Sequence, residues 1–204
     1  MNDENTKTVK RGESRNKLLD AAISIIRKQG FNSTSVDDLC DFAGVSKGAF
    51  FHHFKSKEML GVEAVKYWIV MTTALFATAP YHDCEDPLDR VLAYVEFRKN
   101  IIQGDIEEFT CLAGTMTQEV YLSSPEIRSY CKKSIFDHAD TLVPDIEAAM
   151  QSRDKAFNFT AASLARHTQA VIQGAFILAK AANDAAMATE NINHLKQYIE
   201  LQFK

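Results

Sequence analysis

The stretch that leaves this chain least freedom is Phe42-Ala43-Gly44-Val45-Ser46-Lys47-Gly48-Ala49-Phe50-Phe51-His52-His53-Phe54, followed by Lys55-Ser56-Lys57-Glu58. Gly44 can take the positive φ that ends one helix, Val45 can plug the gap between two helices, and the Ser46 hydroxyl can cap the next. That is the layout of a helix-turn-helix. Gly48 and Ala49 are small enough to bring the second helix close to a groove floor, Lys47 puts charge at the entrance, and Phe51 and His52 lie at or near the outer face. The first quarter of the chain therefore reads as a DNA reader.

The formal charge of −4 at first argues against nucleic acid, but it is unevenly spread. Residues 1–60 hold ten Lys/Arg against eight Asp/Glu, and residues 61–204 hold thirteen against nineteen. A mildly basic head on an acidic body suits a protein whose head alone approaches phosphates. The four cysteines, Cys40, Cys84, Cys111 and Cys131, form no CxxC pair and no zinc-like spacing, and read as reduced thiols. His52 and His53 are adjacent on a helix, so they point about 100° apart with no third ligand in local reach, and no metal is expected. No apolar run resembles a signal peptide, and the stretch from Tyr67 to Pro80 is broken by threonines and reads as too short for a bilayer. A cytoplasmic protein with no membrane partner is expected.

In chain order, residues 1–13 read as a flexible arm in which Lys7, Lys10 and Arg11 could touch phosphate. A helix with an apolar stripe follows from about Ser14 to Gln29. The second helix opens at a capping box, Ser35 with Asp38 or Thr34 with Asp37. After the turn and the third helix, Ser56 caps a fourth that runs to about Thr78, a rod long enough to join two parts. The body is helical throughout: from Asp86-Pro87 to about Gln103, from Ile106 to Leu122, and from Ser124-Pro125 toward Gln151 with a kink or split at Pro144. Two more helices are expected at about Thr160–Ala186 and Ile192–Phe203.

The run Thr34-Ser35-Val36 through Leu39, Ala43 to Gly48, Phe51 to Phe54 and Lys55 to Leu60 resembles the DNA-binding domain of TetR-family transcriptional regulators. The resemblance implies an all-α fold. An N-terminal three-helix head (14–55) would be joined by the long fourth helix to a C-terminal effector-binding and dimerisation domain (56–204). It further implies a homodimer on a double-stranded operator, with Ser35, Ser46, Lys47, Gly48, Ala49, Phe51, His52, Ser56 and Lys57 at the DNA. The family usually has tyrosine where this chain has Phe51, so one hydroxyl contact to the backbone is missing; Lys47 and Lys57 are the contacts expected to dominate.

Phe109-Thr110-Cys111-Leu112-Ala113-Gly114 and Gln173 to Lys180 are more loosely similar to a TetR subgroup containing electrophile-responsive repressors, in which a cysteine can be the sensor. Cys111 thus stands either as a sensor thiol or as a packing residue. Trp68, Met71, Cys111, Met116, Tyr121, Phe136, His138, His167 and Gln173 are candidate walls for an apolar or planar effector. A small-residue face (Gly174, Ala175, Ala179, Ala182) and an apolar stripe (Ile192, Leu195, Ile199) are the expected dimer interface. No cofactor is expected. The leading reading is a one-component repressor released from a palindrome by a small effector. Its competitors are a helical enzyme using Cys111 with His138 or His167, and an architectural DNA-binding protein without effector.

Overall fold

The computed structural model describes residues 3–204, with side chains from residue 12 onward. Lys7, Lys10 and Arg11, on which the expectation of a phosphate-touching arm rests, have side chains outside the described residues. Among those described there is no strand.

The first four helices are α1 (Asp3–Gln29), α2 (Val36–Ala43), α3 (Lys47–His53) and α4 (Lys57–Ala77); α1 begins at Asp3 and not near Ser14, so most of the stretch expected to be a flexible arm is helical. Their ends follow the capping chemistry written in the sequence. The Ser35 hydroxyl accepts from Asp38 N while the Asp38 carboxylate accepts from Ser35 N at 2.8 Å, closing a capping box, and Gly44 ends α2 at φ 64°. Ser46 caps α3 by accepting from Ala49 N at 3.2 Å, and Ser56 caps α4 by accepting from Met59 N at the same distance.

A 3-10 turn (Pro80–Asp83) leads to α5 (Pro87–Asn100), α6 (Ile106–Phe109), α7 (Leu112–Val120), α8 (Pro125–Asp140), α9 (Val143–Gln151), α10 (Ala161–Ala182) and α11 (Ala186–Phe203). Three expectations are corrected here. The helix expected over 106–122 is broken, because Thr110 is extended (φ −77°, ψ 160°) and ends α6. The segment toward Gln151 splits at residues 141–142, which leaves Pro144 in the first turn of α9, where its missing N–H is not needed. The last two helices divide earlier than their periodicity suggested: Asn183 takes the left-handed cap at φ 52°, and Asp184 accepts from Ala186 N at 2.8 Å to start α11.

By compactness the chain forms two units that do not follow chain order. The first comprises Met1–Met71 with Leu112–Lys132, the second Thr72–Cys111 with Lys133–Lys204. In the first, α1 packs on α2, α3 and α7. Leu18, Leu19, Ile26, Leu39, Phe50, Phe54, Leu60 and Met116 are fully buried there. Glu119 of α7 reaches the α1–α2 turn and accepts from Asn32 N at 2.7 Å. Gly61 of α4 is filled in: an added Cβ would lie 2.7 Å from the Phe31 ring and 3.1 Å from Ile127. In the second unit α5, α9, α10 and α11 enclose one apolar cluster around Val91, Tyr94, Ile146, Ile172, Phe176 and Ile199.

Contrary to the sequence expectation, Lys57–Asp83 is long and apolar enough to cross a bilayer, by length and composition. Its first half is nonetheless part of the first unit's core. Leu60, Ala64 and Val65 are buried, and Glu63 receives Arg15 at 2.6 Å and Lys66 at 2.8 Å.

Candidate functional site

The surface of α3 is built from two kinds of residue. Phe50 and Phe54 anchor it, fully buried and 5.8 Å apart between ring centroids. Lys47, Gly48, Phe51 and His52 face outward, and Phe51 is 55% exposed despite being aromatic. His53 turns back to Ser14, with Nε2 2.7 Å from its hydroxyl, so one histidine of the pair is held inside the unit and the other is displayed.

Gly48 has no structural reason to be glycine. It is the second residue of α3, with no positive φ, and an added Cβ would meet nothing closer than an ordinary contact with the Ser46 hydroxyl at 3.7 Å. Glycine costs up to roughly 1 kcal/mol relative to alanine in a helix, less in its first turn. That cost brings no packing gain within the chain, and it is the cost expected where a second body must approach the backbone.

The two lysines singled out by sequence are placed differently. Lys47 is exposed and pairs with Asp37 of α2 at 2.6 Å; the hydrogen bond to Asp37 and then its charge raise the lysine's pKa, so the ammonium stays protonated. Lys57 is half-buried. Its Nζ donates to the carbonyls of Phe31 (3.0 Å), Thr34 (2.9 Å) and, more weakly, Asn32 (3.4 Å), and lies 4.6 Å from the Phe31 ring centre. All three ammonium donors are thereby directed at the α1–α2 turn, so Lys57 holds the turn that presents Ser35.

The candidate effector residues divide between the units. Trp68, Met71, Met116 and Tyr121 belong to the first, and Cys111, Phe136, His138, His167 and Gln173 to the second. Met116 is fully buried, Tyr121 is half-exposed and Trp68 lies under Arg27 at 5.1 Å. Phe136 is exposed beside Arg166, and His167 is exposed against Tyr198. Only His138 enters a buried polar cluster, and the residues around it are ones that sequence reading missed.

In that cluster Tyr94 Oη accepts from Gln169 Nε2 at 2.7 Å and from Arg98 Nη1 at 3.3 Å. With both lone pairs used, its O–H donates to His138 Nε2 at 2.9 Å. Burial, and next the Arg98 charge, push the His138 pKa down to about 3, so the ring is neutral. Tyr94 and Arg98 stand four apart on α5, a spacing visible in sequence, but residue type does not announce that an arginine is buried.

Five of the seven expected interface residues, Ala175, Ala179, Ile192, Leu195 and Ile199, lie in the second unit's own core, because α10 and α11 pack on each other. Gly174, with open space over it, and Ala182 face out. They share the outer surface with Ile177, Leu178, Tyr198 and Leu201, all at least 41% exposed. A groove of about 460 Å³ runs beside α5, between Tyr81, Leu92 and Phe97 on one side and Lys196 and Glu200 on the other.

Comparison with known proteins bears on both units. Residues 18–64 match the family model described as bacterial regulatory proteins, tetR family. The chain is 38% identical over 60 residues to the HTH-type transcriptional regulator YerO of Bacillus subtilis, a match that covers 29% of this chain and spans 21% of that relative's length. It is 26% identical over 180 residues to the HTH-type transcriptional regulator LmrA of the same organism, covering 85% of this chain and 90% of the relative. A crystal structure of a TetR-family transcriptional regulator from Agrobacterium tumefaciens superposes with a TM-score of 0.80 at 23% identity, covering 92% of this chain and 98% of that one, and so shares the fold.

Proposed function

We infer that this chain, which belongs to the TetR family of bacterial regulatory proteins, is a one-component repressor that leaves its operator when a small effector binds its C-terminal part. The observation that carries the DNA half of this reading is Gly48: a glycine in the first turn of α3, exposed, without internal purpose and on the outward face. Lys47, Gly48, Ala49, Phe51 and His52 enter the major groove, while Ser35, Ser46 and Ser56 bring capped helix starts to phosphate. Lys57 supports the site from behind. Lys55, exposed at the end of α3, is the free cation best placed to take over the phosphate contact assigned to Lys57 by sequence.

The protein works in the cytoplasm as a homodimer. Two copies join through the outer face of α10 and α11, the surface of Gly174, Ile177, Leu178, Tyr198 and Leu201, and each copy offers one α3 to one of two successive grooves, which a palindromic operator presents about 34 Å apart. Effector binding changes that spacing through α4, which contributes to both compact units.

The test is an operator-binding titration of the purified protein on DNA from upstream of its own gene. Salt-sensitive binding is expected, weakened about tenfold by Lys47→Ala and about 100-fold or more by Gly48→Glu, with neither variant unfolding markedly earlier on heating. A folded dimer that does not bind, or binds without regard to salt, overturns the reading.

A further inference from the structure

The interior of the second unit carries a positive charge with nothing to balance it. Arg98 is only 7% exposed, and among the described residues no carboxylate pairs with it. Its Nη1 reaches the Tyr94 phenol at 3.3 Å and lies 3.4 Å from His138 Nε2, a neutral ring. Its Nε has no hydrogen-bond partner. The guanidinium otherwise lies between two aromatic faces, Phe76 at 5.3 Å and Phe176 at 5.7 Å.

The neighbouring cations are treated differently. Arg90, two turns earlier on α5, donates to Asp145 at 2.8 Å and to the carbonyls of Cys84 and Glu85. Lys99 and Lys196 share Glu96. Only the most deeply buried cation of this helix lacks a counterion, although an unpaired buried charge is the more costly arrangement. A water on Nε would satisfy its donor and leave the charge uncompensated.

We propose that Arg98 is the anion anchor of the effector site and that the effector is an apolar or aromatic acid. Its carboxylate, or an acidic phenolate of the same charge, takes Arg98 Nε and Nη while its body extends past Tyr81 and Phe97 toward the groove beside α5. The guanidinium fork suits a planar two-oxygen anion, and the Tyr81 and Phe97 rings along the groove suit a flat body. Tyr94, Gln169 and His138 hold the Arg98 side chain in place and are positioning residues. Tyr81 and Phe97, which line the groove beside α5, also pack on Tyr94 and Phe76, so the groove reaches the outer wall of the cluster. This proposal deepens the effector half of the function inferred above and rests on it.

The experiment measures binding of 2-naphthoate and of its neutral amide, 2-naphthamide, to the full-length protein without DNA, by calorimetry and thermal shift. The acid is expected to bind at least tenfold more tightly than the amide and to raise the melting temperature. Arg98→Met is expected to keep operator binding and to melt no lower than the parent, while losing the preference for the acid; Arg98→Lys retains part of it. An acid that does not bind at about 10 mM, an amide that binds equally, or an Arg98→Met protein that keeps the preference overturns the proposal. A marked fall in melting temperature in Arg98→Met also overturns it, because the arginine would then be a structural clamp on Phe76 and Phe176. The two readings fail separately. An acid that binds through Arg98 without loosening the operator complex defeats release by effector but not the anion site. An operator released by neutral compounds alone defeats the anion site but not the repressor.

Discussion

The α3 surface and the interior between α5 and α10 each contain a residue that the fold alone does not justify, and the two are conspicuous for opposite reasons. On α3 something is missing: Gly48 leaves space where a side chain would stabilise the helix. Between α5 and α10 something is in excess: Arg98 brings a charge where an apolar side chain would pack. The difference shows what to look for in each setting. A surface meant for a large partner gives up its own contacts, whereas an interior meant for a small one keeps a group that only the guest can satisfy.

The comparison would break first at Gly61, a glycine of the same unit whose space the apolar core fills. Gly61→Ala drives a Cβ into Phe31, Ile127 and Met116 and is expected to destabilise the protein by about 1–3 kcal/mol in chemical denaturation. If Gly61→Ala were silent, the contrast between an occupied and an open glycine would lose its meaning. Next in size is the pH response of the interior. His138 has an ordinary pKa of 6.5 and a folded value of about 3, so the unfolded chain binds the proton that the folded chain refuses. Stability is therefore full above pH 6.5 and falls as pH drops through the window from 6.5 to 3, by about 1 kcal/mol between pH 6 and 5. Denaturation series at those two pH values should differ by that amount, and His138→Gln should flatten the difference.

Gly48→Ala separates stability from function at a single atom. It should raise stability by about 0.5–1 kcal/mol and weaken operator binding by about tenfold. A variant that gains stability without losing affinity would return Gly48 to an accident of sequence. The smallest effect is expected at Asp37, which now occupies Lys47 at 2.6 Å. Freeing the lysine by Asp37→Asn should tighten operator binding about two- to threefold at low salt, an effect that fades as salt rises.

How much of this was readable without coordinates depended on whether the deciding interaction is local. The α2–α3 turn was readable because its caps lie within three residues of the groups they satisfy, as Ser35 does with Asp38 and Ser46 with Ala49. The all-α fold followed from periodicity for the same reason. Lys57 was assigned to phosphate by its motif, while its three carbonyl partners lie more than twenty residues upstream. Ile192, Leu195 and Ile199 form a helical stripe, and a stripe reveals that a helix has an apolar face without revealing which neighbour covers it. Arg98 was invisible because burial of a charged side chain is decided by Phe76 of α4 and by Gln169 and Phe176 of α10, two stretches of chain remote from its own helix.

The contact from Glu119 to Asn32 N and the wall that Met116 and Ile127 form against Gly61 bear on how this kind of protein can be recombined. A reader head cut at residue 56 or 78 would leave behind α7 and the first half of α8, and with them the side chains that cover α1 and α4. Swapping such a head between relatives is therefore a transplant of two segments, and a chimera joined at one point should misfold unless residues 112–132 travel with their own residues 1–71. Grafts that change specificity while sparing this pairing are confined to the outward positions of α3.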